Sequence, residues 1–575
     1  MARALLPSVA WAAVLLTMAV PTAARPIDVD RWLVVESSSL TLLSDAEPEV
    51  AAATLERLEQ FRAVFAQLAP ALELRSPAPT QFYAFRDLEA YAPYVAGREG
   101  RGSHILGQFV MRPWGNTLTL TAGARAVGAS AWAVVLHEYT HYLVTHNLPG
   151  APLWLNEGLA EYYSSFEVDD GRAIVGQPLE RHLDFLARDG AFDLAELLTT
   201  DQRTASAHDG GEVGRFYGLS WLLVHYLLSG DAERLDRTAD YLARLLEGDD
   251  AEGAFEDAFG RSLASMEDEL RDYLAAGDFA AASYRLDRLR VSPARVRRAP
   301  PELTWTRLGE LEAQLGDLDA AADHAHRALG WRPDDADARA LRAHVLDLQG
   351  RFDEADILWR EALPGLERAK LHLWHGLHAL SVVGGEGHAA ASDAARRSLQ
   401  AAVDRRSDYG QALVLLARAE MRPGGDAGRA VDAAARARAL LPERFDVLVL
   451  GVEAHLHDAL DGVVLGPPRE ADAETVADEQ SALDRESAAV ARADALLERQ
   501  LVVRAVTVGE LEVVARLRAA VERTRLLVEA QEAFVAGAYD DGLELLDLAV
   551  SAARSDAVRA ALEAELLRLT DELAG

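Results

Sequence analysis

Residues 137–141 read His-Glu-Tyr-Thr-His, and residues 154–161 read Trp-Leu-Asn-Glu-Gly-Leu-Ala-Glu. No other feature of the chain constrains its fold as much, because the two segments fix two helices and require them to touch. In a helix from Ser130 to Thr145, with Ser130 as N-cap and no internal Gly or Pro, His137 and His141 stand at i and i+4 on one face. Asn147-Leu-Pro-Gly-Ala-Pro152 breaks that helix, and a second starts near Leu153 and runs through Ser164. Glu157 then lies about one turn into the second helix, and Glu161 one turn further on the same face. Two imidazoles and one carboxylate are the three-ligand set of a catalytic zinc site, whose fourth position stays open for water. The spacing predicts one zinc ion per chain, held by His137, His141 and Glu157, with Glu138 beside it. The alternative is an amphipathic helix carrying two surface histidines, and the carboxylate sixteen residues past His141 weighs against it.

These segments resemble the gluzincin zinc metallopeptidases, the group that contains thermolysin and the zinc aminopeptidases. Trp154 to Tyr163 is especially similar to the peptidase MA-like proteins. The resemblance covers roughly residues 30–275 and implies an α+β, thermolysin-like zincin domain that hydrolyses peptide bonds. It makes Glu138 the general base that takes a proton from water at the metal. It also makes Glu161 and Asn156 the groups that orient the two histidine ligands. Phe216-Tyr-Gly-Leu-Ser-Trp-Leu is similar to the segment in which the aminopeptidases carry an oxyanion-stabilising tyrosine, so Tyr217 is the candidate. A tyrosine capping a core helix is the other reading of Tyr217. By the same resemblance, the alternating strand Asn116–Thr121 borders the cleft and pairs with substrate backbone; an ordinary hairpin strand is the alternative. A metzincin is excluded, because position 147 holds Asn where that motif needs its third histidine.

Around these motifs, residues 25–290 read as one mixed α and β domain. Arg31–Glu36, Leu40–Leu43, Gln81–Phe85 and Gly107–Met111 are short β-type runs, and Glu47–Leu68 has helical periodicity. Ahead of them, a short basic start, an apolar run from Ala4 to Val20 and small residues at Thr22, Ala23 and Ala24 form a signal-peptide layout, with cleavage near Ala24. That predicts export to the periplasm or outside a bacterial cell, with no membrane span after cleavage. An uncleaved anchor is the alternative. The chain has no cysteine, which excludes disulfides and thiol catalysis. Its net charge of −34 argues against a nucleic-acid partner.

Residues 291–301 are rich in arginine and proline and read as a linker. Beyond them the pattern becomes repetitive. Trp305, Leu308, Gly309, Gly316, Ala321, Ala328 and Pro333 fall at the bulky, small and turn positions of a tetratricopeptide repeat. A shift of thirty-four residues brings Ala343, Gly350, Ala355 and Ala362 to matching places. Residues 371–403 and 410–442 resemble degraded copies, and Gly537, Gly542 and Ala549 mark another. The reading for 302–575 is therefore an all-α tetratricopeptide-repeat solenoid, with a polar, acidic insert near 466–486 that carries Pro467-Pro468 and reads as a loop or disordered segment.

Two functions follow. One is an exported zinc metallopeptidase acting on a peptide or protein substrate, with a repeat domain that recruits substrate or partner. The other is a catalytically inactive peptidase-like scaffold that works through its repeats. A dead domain would be expected to lose a ligand or the base, and His137, Glu138, His141 and Glu157 are all present.

Overall fold

The structure is a computed structural model. It describes residues 27–574 apart from 68–73, 75–76, 96–106, 123–129, 149–150, 190–191, 201–209, 230–231, 248, 290, 383–387, 443, 462, 468–472 and 502–507. The apolar stretch from Ala4 to Val20 and the cleavage zone at Ala24 lie outside the described residues. The chain divides into two compact units, Met1–Arg351 and Phe352–Gly575.

The first unit is α+β. Its main sheet has six strands: β1 (Leu33–Glu36), β2 (Thr41–Ser44), β3 (Thr80–Phe85), β4 (Gly107–Val110), β5 (Asn116–Thr121) and β9 (Arg295–Arg298). Their order is β4-β5-β3-β2-β1-β9. β2, β3 and β5 run parallel, and the other neighbours are antiparallel. A second, three-stranded sheet holds β6 (Glu167–Asp169), β7 (Arg172–Val175) and β8 (Ala282–Arg285). The helices are α1 (Pro48–Phe65), α2 (Leu88–Tyr91), α3 (Ser130–Asn147), α4 (Leu153–Ser164), α5 (Glu180–Asp189), α6 (Leu194–Thr199), α7 (Gly210–Leu228), α8 (Ala232–Glu247), α9 (Ala251–Phe259) and α10 (Leu263–Ala276). They are followed by α11 (Pro301–Leu315), α12 (Leu318–Trp331) and α13 (Ala336–Leu348).

Alternation along the strands divides the main sheet into two buried faces. Val35, Leu42, Phe82, Ala84, Leu118 and Leu120 face one core, shared with α1, α3, α4 and α7. Val34, Leu43, Tyr83 and Phe85 face the other, where Leu308 and Leu311 of α11 cover them. Tyr83 donates its hydroxyl hydrogen to the Arg307 carbonyl at 2.8 Å, and the Gln314 amide donates to the Gly115 carbonyl at 2.9 Å.

This arrangement corrects the expected domain limits. Residues 291–301 are not a linker, because Arg295–Arg298 is an edge strand on β1, with Arg297 paired to Glu36 at 3.1 Å. Arginines alternating around Val296 read as a tether by composition, yet a row of charges is also what an exposed edge carries against aggregation. Nor does the first unit end at 290. A sheet apolar on both faces needs cover on both, and α11 supplies the second.

The second unit is all α: α14 (Phe352–Ala362), α15 (Ala369–Ser381), α16 (His388–Arg405), α17 (Gly410–Glu420), α18 (Ala427–Leu440), α19 (Phe445–Leu460), α20 (Ala473–Leu496), α21 (Val508–Val535), α22 (Tyr539–Ala552) and α23 (Asp556–Ala574). Consecutive helices pack as a tetratricopeptide-like repeat array. The degraded copies at 371–403 and 410–442 are the pairs α15–α16 and α17–α18. Small residues set the spacing: a Cβ on Gly376 would stand 2.6 Å from Leu399 Cγ, and one on Gly542 2.7 Å from Phe534 Cε1.

The polar insert near 466–486 is a second correction, because from Ala473 it is helix α20. Ala, Glu, Gln and Arg are good helix formers, and Leu483, Ala489, Val490 and Ala493 give that helix a buried stripe. Among the described residues, no helix is long and apolar enough to cross a membrane.

Candidate metal centre

α3 and α4 pack against each other, and α7 packs on the far side of α4. The close approach of α4 and α7 depends on Gly158, next to Glu157. A Cβ there would lie 2.4 Å from the Ser220 carbonyl oxygen and 2.5 Å from Val224 Cγ2. α4 spans Leu153–Ser164, the limits its flanking breakers imply. Glu157 and Glu161 therefore share one face, directed at the histidines of α3.

One oxygen or nitrogen from each of His137, His141 and Glu157 comes within 4.8 Å of the others, and this is the one such triad among the described residues. His141 Nε2 lies 3.0 Å from His137 Nε2 and 3.3 Å from Glu157 Oε2, which is 3.7 Å from His137 Nε2. Glu157 is 1% exposed, and among the described residues its Oε2 has ion-pair contacts with the two ring nitrogens but no hydrogen bond of good geometry. A buried carboxylate oxygen left in that condition costs free energy unless a cation satisfies it. The set also has the right chemistry for zinc, two imidazole nitrogens and one carboxylate, so these residues fit the ion that the spacing predicts.

The outer side of each ring is held as well. His141 Nδ1 lies 3.0 Å from Asn156 Oδ1 and donates there, which directs Nε2 inward; a cation bound at Nε2 would displace the proton that Glu157 favours there. His137 Nδ1 faces Glu161 Oε1 at 3.8 Å. Glu161 is itself anchored by Arg181 and by His182, whose Nε2 is 3.2 Å from Glu161 Oε2. Burial pushes against the Glu161 anion, but His182, His137 and Arg181 outweigh it and hold the carboxyl down to about 2. His137 is pushed down to about 4 by burial and by neighbouring His141. Burial also opposes charge on His141, yet Glu157 and Asn156 carry it up to about 9.

Glu138 is half-buried beside the triad, and burial with the nearby Glu157 raises its carboxyl. Tyr217, on α7, is half-buried; burial and the charges of Glu157, Glu161 and Glu138 raise its phenol. His137, His141, Asn156, Glu157 and Glu161 thus come together, and the charges of this group reach Glu138 and Tyr217. Sequence reasoning missed Arg181, His182 and Gly158. The first two sit on α5, whose strong amphipathic pattern is the only signal they carry.

The expected role of Asn116–Thr121 needs correction. β5 is paired on both sides, by β3 and β4, and has no free edge for a substrate. The strand at the end of the sheet is β4, and it lies against the motif helix: a Cβ on Gly107 would meet Val135 Cγ2 at 2.1 Å, two residues before His137.

No family model matches the chain, and no curated protein does. Similar solved structures include the MamA protein, at 14% identity over 36% of this chain and 98% of that chain, with a TM-score of 0.24. Another is the APC/C hetero-tetramer Cut9–Hcn1, at 13% identity over 77% of this chain and 78% of that chain, with a TM-score of 0.25. At such scores neither likeness carries weight, and the repeat architecture stands on the packing of this chain's own helices.

Proposed function

We infer that the chain is an exported zinc-dependent peptidase whose helical repeats engage a substrate or partner protein. The observation that carries this reading is the convergence of His137, His141 and Glu157 around a buried carboxylate oxygen that, among the described residues, has no hydrogen bond of good geometry, with Glu138 alongside. A zinc ion held by these three residues supplies Lewis acidity, which brings the pKa of water to about 7 and polarises a carbonyl. The protein's own groups do the rest. Asn156 fixes the His141 tautomer, Glu161 faces His137 Nδ1 as its counter-charge, and Arg181 and His182 keep Glu161 in place. Glu138, its carboxyl raised by burial, takes the proton of the attacking water and returns it to the leaving amine. Tyr217, with a phenol that stays protonated, donates to the developing oxyanion. Export rests on the composition of residues 1–24 alone.

The test is hydrolysis of a library of unstructured peptides. Wild-type protein should cleave, and Glu138→Gln, which keeps the shape and removes the base, should be slower by at least ~10² while retaining metal. Equal rates would remove the assigned role.

A second reading has the repeats as the working part and the first unit as an inactive scaffold. Its support is the helical array that makes up the second unit, an architecture suited to protein–protein contact. In that case wild type and Glu138→Gln would both be inert toward the library, and a partner would still bind.

A further inference from the structure

The second unit contains an acidic groove for which the proposed peptidase chemistry has no use. It lies between α19 and α20, has a volume of about 700 Å³, and is lined by Asp458, Asp461, Asp484 and Glu486 together with Arg485 and Arg492. Four carboxylates against two guanidiniums leave the groove net negative. One of the two cations is already committed, since Arg492 lies 3.6 Å from Asp458.

Acidic residues on a solvated helix face are common and mean little by themselves. Glu486 is different. It is 8% exposed, it lines the groove, and its Oε2 is buried with no hydrogen-bond partner among the described residues. The surroundings do not relieve it: burial comes first, Asp458, Asp461 and Glu532 add repulsion, and Arg485 alone offsets them, so its carboxyl is held up to about 7. Glu532 is itself engaged, accepting from the Ser487 hydroxyl at 2.9 Å. A buried carboxylate with an unused oxygen, in a groove of like charge, is a site short of one cation.

The shape of the shortfall selects the ligand. A divalent metal needs several oxygens converging on a point, and among the described residues only the His137, His141 and Glu157 set brings three ligand atoms within 4.8 Å. The groove's carboxylates are spread around a much larger space. A planar guanidinium, with five donors in a fixed fork, can reach separated carboxylates at once. We propose that the groove between α19 and α20 binds an arginine side chain of a peptide or protein partner, with Glu486 as its buried counter-ion and Asp458, Asp461 and Asp484 around it.

This inference rests on the reading of the repeat unit as a partner-binding surface and gives that partner a chemistry. The experiment is calorimetric titration of the full chain, in the Glu138→Gln background so that the probe survives, with acetyl-Ala-Arg-Ala-amide and with its glutamine counterpart. The arginine peptide should bind saturably and the glutamine peptide at least ~10-fold more weakly. Glu486→Gln should weaken the arginine peptide by ~10-fold or more. Asp484→Asn, an exposed change that leaves the core intact, should weaken it by a smaller factor. Calcium chloride should give no saturable heat at the groove. Equal binding of the two peptides, or an arginine affinity unchanged in both variants, would overturn the proposal. The two readings also fail separately. A protein partner held equally by wild type and by the Glu486→Gln, Asp484→Asn double variant would keep the partner reading and remove this one.

Discussion

At the scale of single residues, the proposed centre has three tiers: candidate ligands, the groups that would orient them, and the groups that hold those. The positions of the first two tiers were legible from helical periodicity, and the orienting roles of Asn156 and Glu161 are what the resemblance to the gluzincins implies. The i and i+4 histidines, the carboxylate on the next helix and Glu161 one turn on all follow from counting. Arg181 and His182 were not, since they reach Glu161 from α5, a separate helix that no local pattern ties to it. Tyr217 stood between two readings. The charges of Glu157, Glu161 and Glu138 reach it, and its ring also packs against the core of the first unit, so the structure supports both readings. If its hydroxyl serves the transition state, Tyr217→Phe should lower kcat by roughly 10–10³ with little change in KM. A steady-state comparison decides this: an effect confined to KM would make it a substrate-binding residue.

At the scale of elements, the α4–α7 contact is the joint that holds the metal centre in shape. Gly158→Ala would push a methyl group into the Ser220 carbonyl and Val224, and overpacking of this kind costs about 1–3 kcal/mol. Because Glu157 is its neighbour, the same substitution should weaken metal retention. Gly330→Ala, where a Cβ would meet nothing within 4 Å, should leave stability unchanged or slightly improved. Denaturant titration of the two variants, with metal content measured on each, checks the pair. Elements with an internal period were readable, as with β3, β5, α3 and α4. The edge strand β9 was not, because a strand that pairs on one side and faces water on the other has charges where a core strand has apolar residues. For β5 the ordinary hairpin-strand alternative holds: its alternation is plain, but which strand lies outermost depends on pairing with β4, and pairing order is not written locally.

At the scale of the whole molecule, repeat periodicity marked where helical repeats begin but not where the first unit ends. Tetratricopeptide spacing starts at α11, and α11 is also the cover for one face of the sheet. A fragment of residues 25–290 would lose β9 and expose Val34, Leu43, Tyr83 and Phe85. It should be insoluble or unfold without cooperativity, whereas residues 25–351 should melt as a single unit. Thermal unfolding of the two fragments tests this, and a cooperative transition at the same Tm in both would show that α11 is dispensable.

The most direct measurement of the central claim is the metal content of the full-length protein, purified, reconstituted with zinc and dialysed. The geometry of His137, His141 and Glu157 predicts about one zinc ion per chain. Glu138→Gln should hold the same amount, since it removes no ligand, and His141→Ala and Glu157→Ala should lose most of it. Wild-type protein that retains no zinc after reconstitution, or that retains it equally in the His141 and Glu157 variants, would contradict the account.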